Sequence, residues 1–230
     1  MRIHSLLHEP FEDTGYIRIW AEEKGHPFSE TLLYAGEPLP DTGDFDLLVI
    51  MGGTMNIYEA DKFPWLSGEK EFIKAAIDSG KKVLGICLGG QLIADVLGAP
   101  VRKNKYPEVG WFSVEKTADA EMIPLCRGIP YSFTVFQWHG DTFGIPDDAV
   151  NLFRSTACEN QGFLYRGRVI GLQFHPEMTE ENLKSLTQNC YDELKGDRTF
   201  IQPLAEILKG SNIRSANVVM VLILKYFEDL

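Results

Sequence analysis

The sequence predicts an α/β protein whose core is a mostly parallel, doubly wound sheet with flanking helices, joined to a small antiparallel β extension. Near-continuous apolar runs, of which residues 45–51 are the clearest, are typical of strands covered on both faces of a parallel sheet. In the first part of the chain such runs alternate with segments of helical periodicity, which is the pattern of βαβ units. After residue 109, short β-like runs follow one another with only turns between them, which indicates antiparallel pairing.

The elements, taken in order, fit this interpretation. Gly25 and Gly80 are placed as helix stops, and Gly167 is placed for a hairpin turn between the last two β-like runs. Thr179 is the expected N-cap of a later helix. We expect strands at 2–7, 29–34, 45–51 and 82–87, a helix directly after Cys87, five β-like runs between 109 and 175, and helices at 14–24, 68–79, 180–194, 200–208 and 213–227.

The domain organisation follows from the same pattern. The 230 residues suit one α/β domain of the flavodoxin-like type with a small appendage. The sequence contains no internal repeat and no low-complexity tract, and the best candidate for a boundary is the polar stretch at 209–212. We therefore predict one domain over residues 1–209 and a C-terminal helical tail over residues 210–230.

Composition excludes several classes of protein. The net charge is −11, from 33 acidic and 22 basic residues, so an anionic nucleic acid is a disfavoured partner. The four cysteines are widely spread without a CxxC pair, which argues against a disulfide framework or a cysteine metal site and for a reducing compartment. The N-terminus lacks the pattern of a signal peptide, and the apolar run at 218–224 is too short to span a bilayer. We expect a cytoplasmic protein without a cofactor, metal or membrane partner.

The stretch at 82–91, KVLGICLGGQ, predicts a reactive cysteine. An apolar strand ends at Cys87, glycines follow, and a helical pattern begins at once, which is the layout of a nucleophile elbow. Glycines tolerate the unusual backbone angles and close approaches of such a turn. A cysteine at the N-terminus of a helix is also favoured as the thiolate. The alternative for Cys87 alone is a small buried core residue.

His175 is the histidine best placed to serve such a nucleophile. It follows an apolar run and therefore lies at a strand end, and Pro176 then breaks the strand. If Pro176 enforces an extended turn, the carboxylate of Glu177 can fold back to orient the imidazole. Taken alone, the same three residues also fit a strand-end histidine followed by an acid that caps a helix.

Four motifs together carry a resemblance to a known family. Residues 85–91, GICLGGQ, match a GxCxGxQ elbow, and residues 171–177, GLQFHPE, match a later HPE motif. Residues 51–53, MGG, resemble an oxyanion loop, and residues 138–141, WHGD, resemble an SHGD-type segment. Over about residues 1–195 the chain resembles the class I glutamine amidotransferases of the triad type, in a stand-alone branch similar to guanosine-monophosphate synthetase glutaminase domains.

The resemblance implies a cysteine-nucleophile glutaminase, or γ-glutamyl hydrolase. Cys87 would attack the γ-carbonyl of glutamine or of a γ-glutamyl compound, and water would hydrolyse the resulting thioester with the help of His175 and Glu177. The backbone N–H groups of Gly53 and Leu88 would stabilise the oxyanion. The substrate-binding residues that it implies are Gly52, Gln91, His139, Gly140 and Asp141.

Several alternatives stay open at this stage. The segment at 138–141 also fits a plain turn between strands. The sequence contains no P-loop or SGGxDS-type motif that could use ammonia, so we expect either a stand-alone enzyme, including a γ-glutamyl peptidase, or a subunit that is active only when docked to a synthetase. A dienelactone-type cysteine hydrolase is disfavoured, because it predicts an aspartate between nucleophile and histidine. The leaving group, the use of a synthetase partner and homo-oligomerisation are not fixed by the sequence.

Other polar residues are expected to be structural. We expect Glu9, Glu12 and Asp13 to form a solvated loop rather than a metal site, and Cys126, Cys158 and Cys190 to be inert because they lack an elbow. His4 and His8 lie near the end of the first strand, where they either line the pocket or, as we favour, serve the structure alone.

Overall fold

The fold was determined as a computed structural model that describes residues 1–195 and 199–230. In these residues one nine-stranded sheet has the order β2-β1-β3-β4-β9-β8-β7-β5-β6. Its strands are β1 (Ile3–Leu7), β2 (Phe28–Leu32), β3 (Leu47–Ile50), β4 (Lys82–Ile86), β5 (Val101–Lys116), β6 (Ser132–Phe143), β7 (Ala149–Ser155), β8 (Gly162–Tyr165) and β9 (Val169–Leu172). The helices are α1 (Tyr16–Lys24), α2 (Trp65–Asp78), α3 (Leu88–Val96), α4 (Glu180–Asn189), α5 (Leu204–Ile207) and α6 (Ile213–Asp229).

The predicted fold class is confirmed by this sheet. Strands β2, β1, β3, β4 and β9 are parallel neighbours, and every residue of β1, β3 and β9 is buried, as expected where helices cover both faces. Strands β8, β7, β5 and β6 continue the sheet as antiparallel neighbours. The strand β9 joins the two parts, since it is antiparallel to β8 but parallel to β4.

The antiparallel part is longer than the sequence predicts. Strand β5 begins at Val101 and β6 continues to Phe143, so both extend beyond the β-like runs. The early part of β5 is polar and contains Pro107, which cannot donate a hydrogen bond to the ladder. A shift of register between Lys103 and Glu108 accommodates this segment.

Local signals account for the ends of several elements. Gly25 ends α1 with φ 69°, and Arg166 and Gly167 both have positive φ in the hairpin turn between β8 and β9, as a type I′ turn requires. Thr179 and Asn182 form a reciprocal capping box at the start of α4. Helix α4 ends at Asn189 rather than at 194, and the segment Tyr191–Lys195 forms a 3₁₀ helix instead.

The C-terminal helix α6 covers one face of the sheet. Its apolar stripe is buried in the main core, while Val218 on the opposite side is 58% exposed. No helix in the described ranges combines the length and apolarity needed to cross a bilayer. The buried members of the apolar stripe of α6 are Ala216, Val219, Met220, Ile223, Leu224 and Phe227. The division of the chain into a domain at 1–209 and a tail at 210–230 stays a prediction.

Candidate active site

Cys87 occupies a sharp turn between β4 and α3. Its backbone has φ 51° and ψ −106°, a strained combination for a residue with a side chain. Close packing explains the glycines around it, because a Cβ on Gly85 would overlap the backbone of Gly89, and one on Gly90 would lie 2.6 Å from the Leu172 carbonyl oxygen. The turn therefore places the sulfur at the N-terminus of α3, where the aligned peptide dipoles favour a negative charge.

His175 and Glu177 form a buried pair just beyond β9. The distance from His175 Nδ1 to Glu177 Oε1 is 2.8 Å, and the exposed fractions of the two side chains are 5% and 3%. The backbone N–H of His175 donates to the Phe136 carbonyl oxygen at 2.8 Å. Burial alone lowers the pKa of His175, but the Glu177 carboxylate and the Cys87 sulfur outweigh burial and hold this pKa well above its ordinary value. The three side chains therefore interact electrostatically at one edge of the sheet.

A chain of two side-chain amides also reaches the Cys87 sulfur. Gln91 Nε2 donates to Gln173 Oε1 at 3.2 Å, and Gln173 Nε2 lies 3.6 Å from Cys87 Sγ. The sulfur is also 3.6 Å from the carbonyl oxygen of Trp138. Gln91, predicted to bind substrate, thus lines the pocket with its amide nitrogen directed to Gln173.

The two glycines after β3 border the nucleophile. Gly53 lines the same pocket as Cys87, and a Cβ there would lie 2.9 Å from a methyl carbon of Leu88. A Cβ on Gly52 would overlap the carboxylate of Glu12 and approach the His175 ring to 3.3 Å. Leu88 is the first residue of α3, where a backbone N–H has no partner within the helix. Both predicted oxyanion donors therefore lie in residues that line the same pocket as Cys87, and Gly53 has no room for a side chain.

The pocket above Cys87 has a volume of about 210 Å³ and an acidic lining. Glu12, Asp141 and Glu193 contribute carboxylates, and the described lining includes neither lysine nor arginine. Burial raises the pKa of Glu12 to about 7, against the opposing effect of His175. Glu193 accepts a hydrogen bond from Trp138 Nε1 at 2.8 Å. This lining suits a substrate group with positive charge.

The segment Trp138 to Asp141 lies inside β6, so the alternative of a turn between strands is wrong. His139 Nδ1 is 2.9 Å from the Asp141 carbonyl oxygen, and its Nε2 is 3.3 Å from Glu108 Oε2. Both ring nitrogens therefore face protein groups. Gly140 is exposed with open space beside it, and the Asp141 carboxylate accepts from the Tyr58 hydroxyl at 3.1 Å.

The acidic loop after β1 is partly exposed, with Asp13 exposed and Glu9 and Glu12 half-buried, but its carboxylates also have partners in the fold. Glu12 lines the pocket, while Asp13 Oδ1 accepts from Asn182 Nδ2 at 2.6 Å and from the Gly15 N–H at 2.7 Å. The Glu9 carboxylate accepts a hydrogen bond from the Thr54 hydroxyl. The available signal was position, since this loop follows the carboxyl end of a parallel strand, where sites of doubly wound sheets lie.

His8 does not line the pocket and has the structural role that we favour, in a buried pair with Glu69 that the sequence does not predict. Glu69 occupies the buried stripe of α2 among Leu66, Ile73 and Ala76. A charged residue in such a stripe indicates a buried partner, and this is the signal that could have identified the pair. The pair contacts the predicted oxyanion loop, because His8 Nδ1 lies 2.9 Å from the Gly52 carbonyl oxygen.

The other three cysteines are buried outside the elbow. Burial raises the pKa of Cys126 to about 11 and that of Cys190 to about 12, and it also raises the pKa of Cys158. The raised pKa values disfavour the reactive thiolate form of these three cysteines. Within residues 1–195 and 199–230, no group of three or more His, Cys, Asp or Glu side chains is arranged to hold a metal ion.

The fold and site are those of a doubly wound α/β protein with a cysteine at a strand-to-helix elbow. The family model for glutamine amidotransferase class-I matches residues 26–194, so the chain belongs to the class-I glutamine amidotransferase family. It is 36% identical over 214 residues to the glutamine amidotransferase-like protein YfeJ of Salmonella typhimurium, covering 90% of this chain and 89% of that protein.

Two further relatives extend the comparison. A crystal structure of a glutamine amidotransferase from Thermotoga maritima superposes with a TM-score of 0.89 at 34% identity, covering 99% of this chain and 97% of that one. A glutamine-hydrolysing GMP synthase subunit of Thermoplasma acidophilum is 38% identical over 136 residues, which is 58% of this chain and 64% of that relative. The similarity to the YfeJ protein therefore extends over nearly the whole chain, and the similarity to the GMP synthase relative over little more than half of it.

Proposed function

We propose that the chain hydrolyses the γ-amide of glutamine or of a γ-glutamyl compound through a thioester on Cys87. One observation carries the proposal: the strained elbow at Cys87 and the buried pair of His175 and Glu177 meet at one edge of the sheet. Within the pair, His175 Nδ1 lies 2.8 Å from Glu177 Oε1. Such a pair is the base and orienting group that a thiol nucleophile needs. Membership of the glutamine amidotransferase family supports glutamine as the substrate class.

The proposed reaction has two stages. The Cys87 thiolate adds to the γ-carbonyl carbon, and the backbone N–H groups of Gly53 and Leu88 stabilise the oxyanion. Collapse breaks the C–N bond, and the His175 imidazolium gives its proton to the departing ammonia or amine. A water then attacks the γ-glutamyl thioester while His175 takes its proton, and glutamate leaves with regeneration of the thiolate. Glu177 holds the ring with Nδ1 protonated and Nε2 available to the reacting groups.

The pocket gives the substrate its orientation. We assign substrate contacts to Gly52 and Gln91 and to the segment that contains His139, Gly140 and Asp141. The acidic lining complements an α-ammonium group, and its Glu12 carboxyl lies close to the nucleophile. A free amide and a larger γ-glutamyl conjugate or peptide are both candidate substrates.

A second candidate is a glutaminase subunit that works only when docked to a synthetase. The similarity to a GMP synthase subunit favours it. Glutamate release by the purified chain from glutamine, γ-glutamyl peptides and γ-glutamyl amines separates the two. Turnover with no partner excludes strict dependence, and the preferred amine identifies the leaving group.

Replacement of the nucleophile tests the proposal. We expect Cys87→Ala to abolish glutamate release from every substrate that the wild-type chain turns over, while the thermal unfolding transition is kept. The matched control is Cys158→Ala, which removes a buried thiol away from the elbow and should keep turnover. Turnover by the Cys87→Ala variant would contradict the proposal.

A further inference from the structure

Two buried, oppositely chargeable side chains behind the oxyanion loop take no part in the proposed hydrolysis. His8 follows β1, Glu69 belongs to α2, and both side chains are fully buried. Burying such groups is costly unless they are paired. The burial of this pair therefore requires an explanation, and we look for it in the contact that His8 makes with the oxyanion loop.

Both nitrogens of the His8 ring have acceptors. Nε2 lies 2.8 Å from Glu69 Oε1, and Nδ1 lies 2.9 Å from the Gly52 carbonyl oxygen. Only the imidazolium form donates from both nitrogens at once. The indole of Trp65 stacks on the ring with centroids 5.5 Å apart and fixes its plane. Burial lowers the pKa of His8, but the Glu69 carboxylate, supported by the Gly52 carbonyl and the Glu12 charge, raises it above its ordinary value.

The bond to Gly52 fixes the direction of the next N–H group. The peptide between Gly52 and Gly53 is trans and planar, so its carbonyl and its N–H point in opposite directions. The His8 side chain is fully buried and does not line the pocket, whereas Gly53 does, so the bond from His8 draws the Gly52 carbonyl toward the interior and leaves the Gly53 N–H pointing the other way. A flip of this peptide would break the bond and aim an N–H at an imidazolium.

We propose that His8, charged by Glu69, is a positioning residue that locks the Gly52–Gly53 peptide in the orientation needed for an oxyanion donor. The inference rests on the proposed function, because it assigns the regulation of that same site. It implies that the oxyanion hole is preformed in the isolated chain and needs no docked partner to assemble it. Preorganised donors of this kind act without reorganisation at the moment of reaction.

The hydrogen bond from His8 Nδ1 to the Gly52 carbonyl oxygen, which we call the lock, is lost when pH changes in one direction only. The charged groups that face His8 are Glu69 from α2 and Glu12 from the loop after β1, both acidic, while the loop after β3 offers only the Gly52 carbonyl. When His8 loses a proton, the remaining one stays on Nε2 beside the Glu69 carboxylate, and the Nδ1 lone pair faces the Gly52 oxygen. The lock is therefore present at low and neutral pH and is lost as pH rises through the raised pKa of His8.

Two neutral double variants isolate the bond to Gly52. An asparagine amide reaches the position of Nδ1, whereas a glutamine amide reaches the position of Nε2. His8→Asn with Glu69→Gln therefore keeps a donor to Gly52, and His8→Gln with Glu69→Gln loses it, while neither leaves a buried charge unpaired. We expect the glutamine variant to have about 10- to 100-fold lower kcat than the asparagine variant, at similar KM, since an oxyanion donor is worth about 10²- to 10³-fold in kcat.

Controls separate this effect from loss of fold or of the nucleophile. Both variants should unfold cooperatively and should be alkylated at Cys87 by iodoacetamide at equal rates, because that displacement forms no oxyanion. Values of kcat within threefold of each other would overturn the inference. The same holds if the two variants differ only in KM.

A second measurement does not depend on turnover. ¹⁵N NMR of histidine-labelled protein, with His8 assigned from its variants, should show a ring protonated on both nitrogens that titrates above free histidine. A neutral ring at pH 6, or titration at or below the pKa of free histidine, would overturn the lock. If the wild-type chain hydrolyses none of the substrates, the proposed function fails while this titration still decides the inference.

Discussion

The oxyanion loop and the turn that carries His175 meet at the same edge of the sheet, but they are held in different ways. The loop is held by an ion pair, His8 with Glu69, whose bond to Gly52 depends on a proton. The turn is held by neutral groups: Asn217 Nδ2 donates to the Pro176 and Met178 carbonyl oxygens at 2.9 and 3.0 Å. The backbone N–H of Tyr16 donates to the Glu177 carbonyl oxygen at 2.8 Å.

The two supports should respond differently to pH, because only the support of the loop contains titrating side chains. Asn217 belongs to α6, far along the chain from Pro176, so the geometry of the turn depends on docking of the C-terminal helix. Its hydrogen bonds involve no group that titrates near neutrality. The loop, by contrast, depends on elements of the first part of the chain and on the charge of one histidine. Variants in each region should therefore differ in their pH dependence as well as in the size of their effects.

The largest expected effect comes from the carboxylate within the turn. Glu177→Gln keeps the backbone bonds of the turn, but its amide can donate to Nδ1 and force the wrong tautomer of His175. We expect kcat to fall about 10²- to 10⁴-fold. The transition temperature measured beside kcat shows whether the turn is preserved. A variant with kcat within threefold of the wild type would exclude Glu177 as the orienting group.

A smaller effect is expected when the support of the turn is removed. Asn217→Leu leaves the buried Pro176 and Met178 carbonyl oxygens without that donor, at a cost of about 1–3 kcal/mol in the free energy of unfolding. Urea unfolding measures this loss, and kcat should fall with it because His175 is less firmly held. Val218→Ala, on the exposed face of the same helix, is the matched control and should lie within about 0.5 kcal/mol of the wild type. Equal stability of the two variants would refute a clamping role for Asn217.

The smallest effect is the slope of stability against pH. The pKa of His8 is raised in the folded protein, so its stabilisation is complete below the ordinary pKa of histidine and is lost as pH rises through the raised value. The double variant His8→Gln with Glu69→Gln removes the pair. Its free energy of unfolding should decrease less steeply with rising pH than that of the wild type, by at most about 1.4 kcal/mol per pH unit. Urea unfolding of both proteins from about pH 6 to about pH 9 measures it. The free energy of unfolding of Asn217→Leu should change with pH at the same slope as that of the wild type. An unchanged slope in the double variant would contradict the proposed difference between the two regions.

The sequence predicts the parallel half of the fold well because its signals are local. Apolar runs, helix stops and the elbow glycines each depend on neighbours in the chain, and they place Cys87 and His175 at strand ends. The long partners β5 and β6 are missed at their polar ends, because Pro107 and the charged residues near it are typical of loops. Their strand conformation comes from pairing across the sheet.

The supports of the site are harder to predict because they depend on long-range contacts. His8 meets Glu69 across 61 positions of sequence, and Asn217 meets Pro176 across 41. Nothing in the local sequence indicates that an asparagine in an apolar helix will bond a proline carbonyl. Glu12 is similar, since its place in an acidic loop suggests solvent, while the fold places it in the lining of the pocket that contains Cys87.

The central claim is that Cys87 carries a γ-glutamyl group during turnover. Rapid acid quenching of the chain during steady-state hydrolysis, followed by proteolysis and mass spectrometry, tests it most directly. The account predicts a γ-glutamyl adduct on the peptide that contains Cys87, removable by hydroxylamine and absent from the peptides of Cys126, Cys158 and Cys190. Turnover without any adduct on Cys87, or with the adduct on another cysteine, would contradict it.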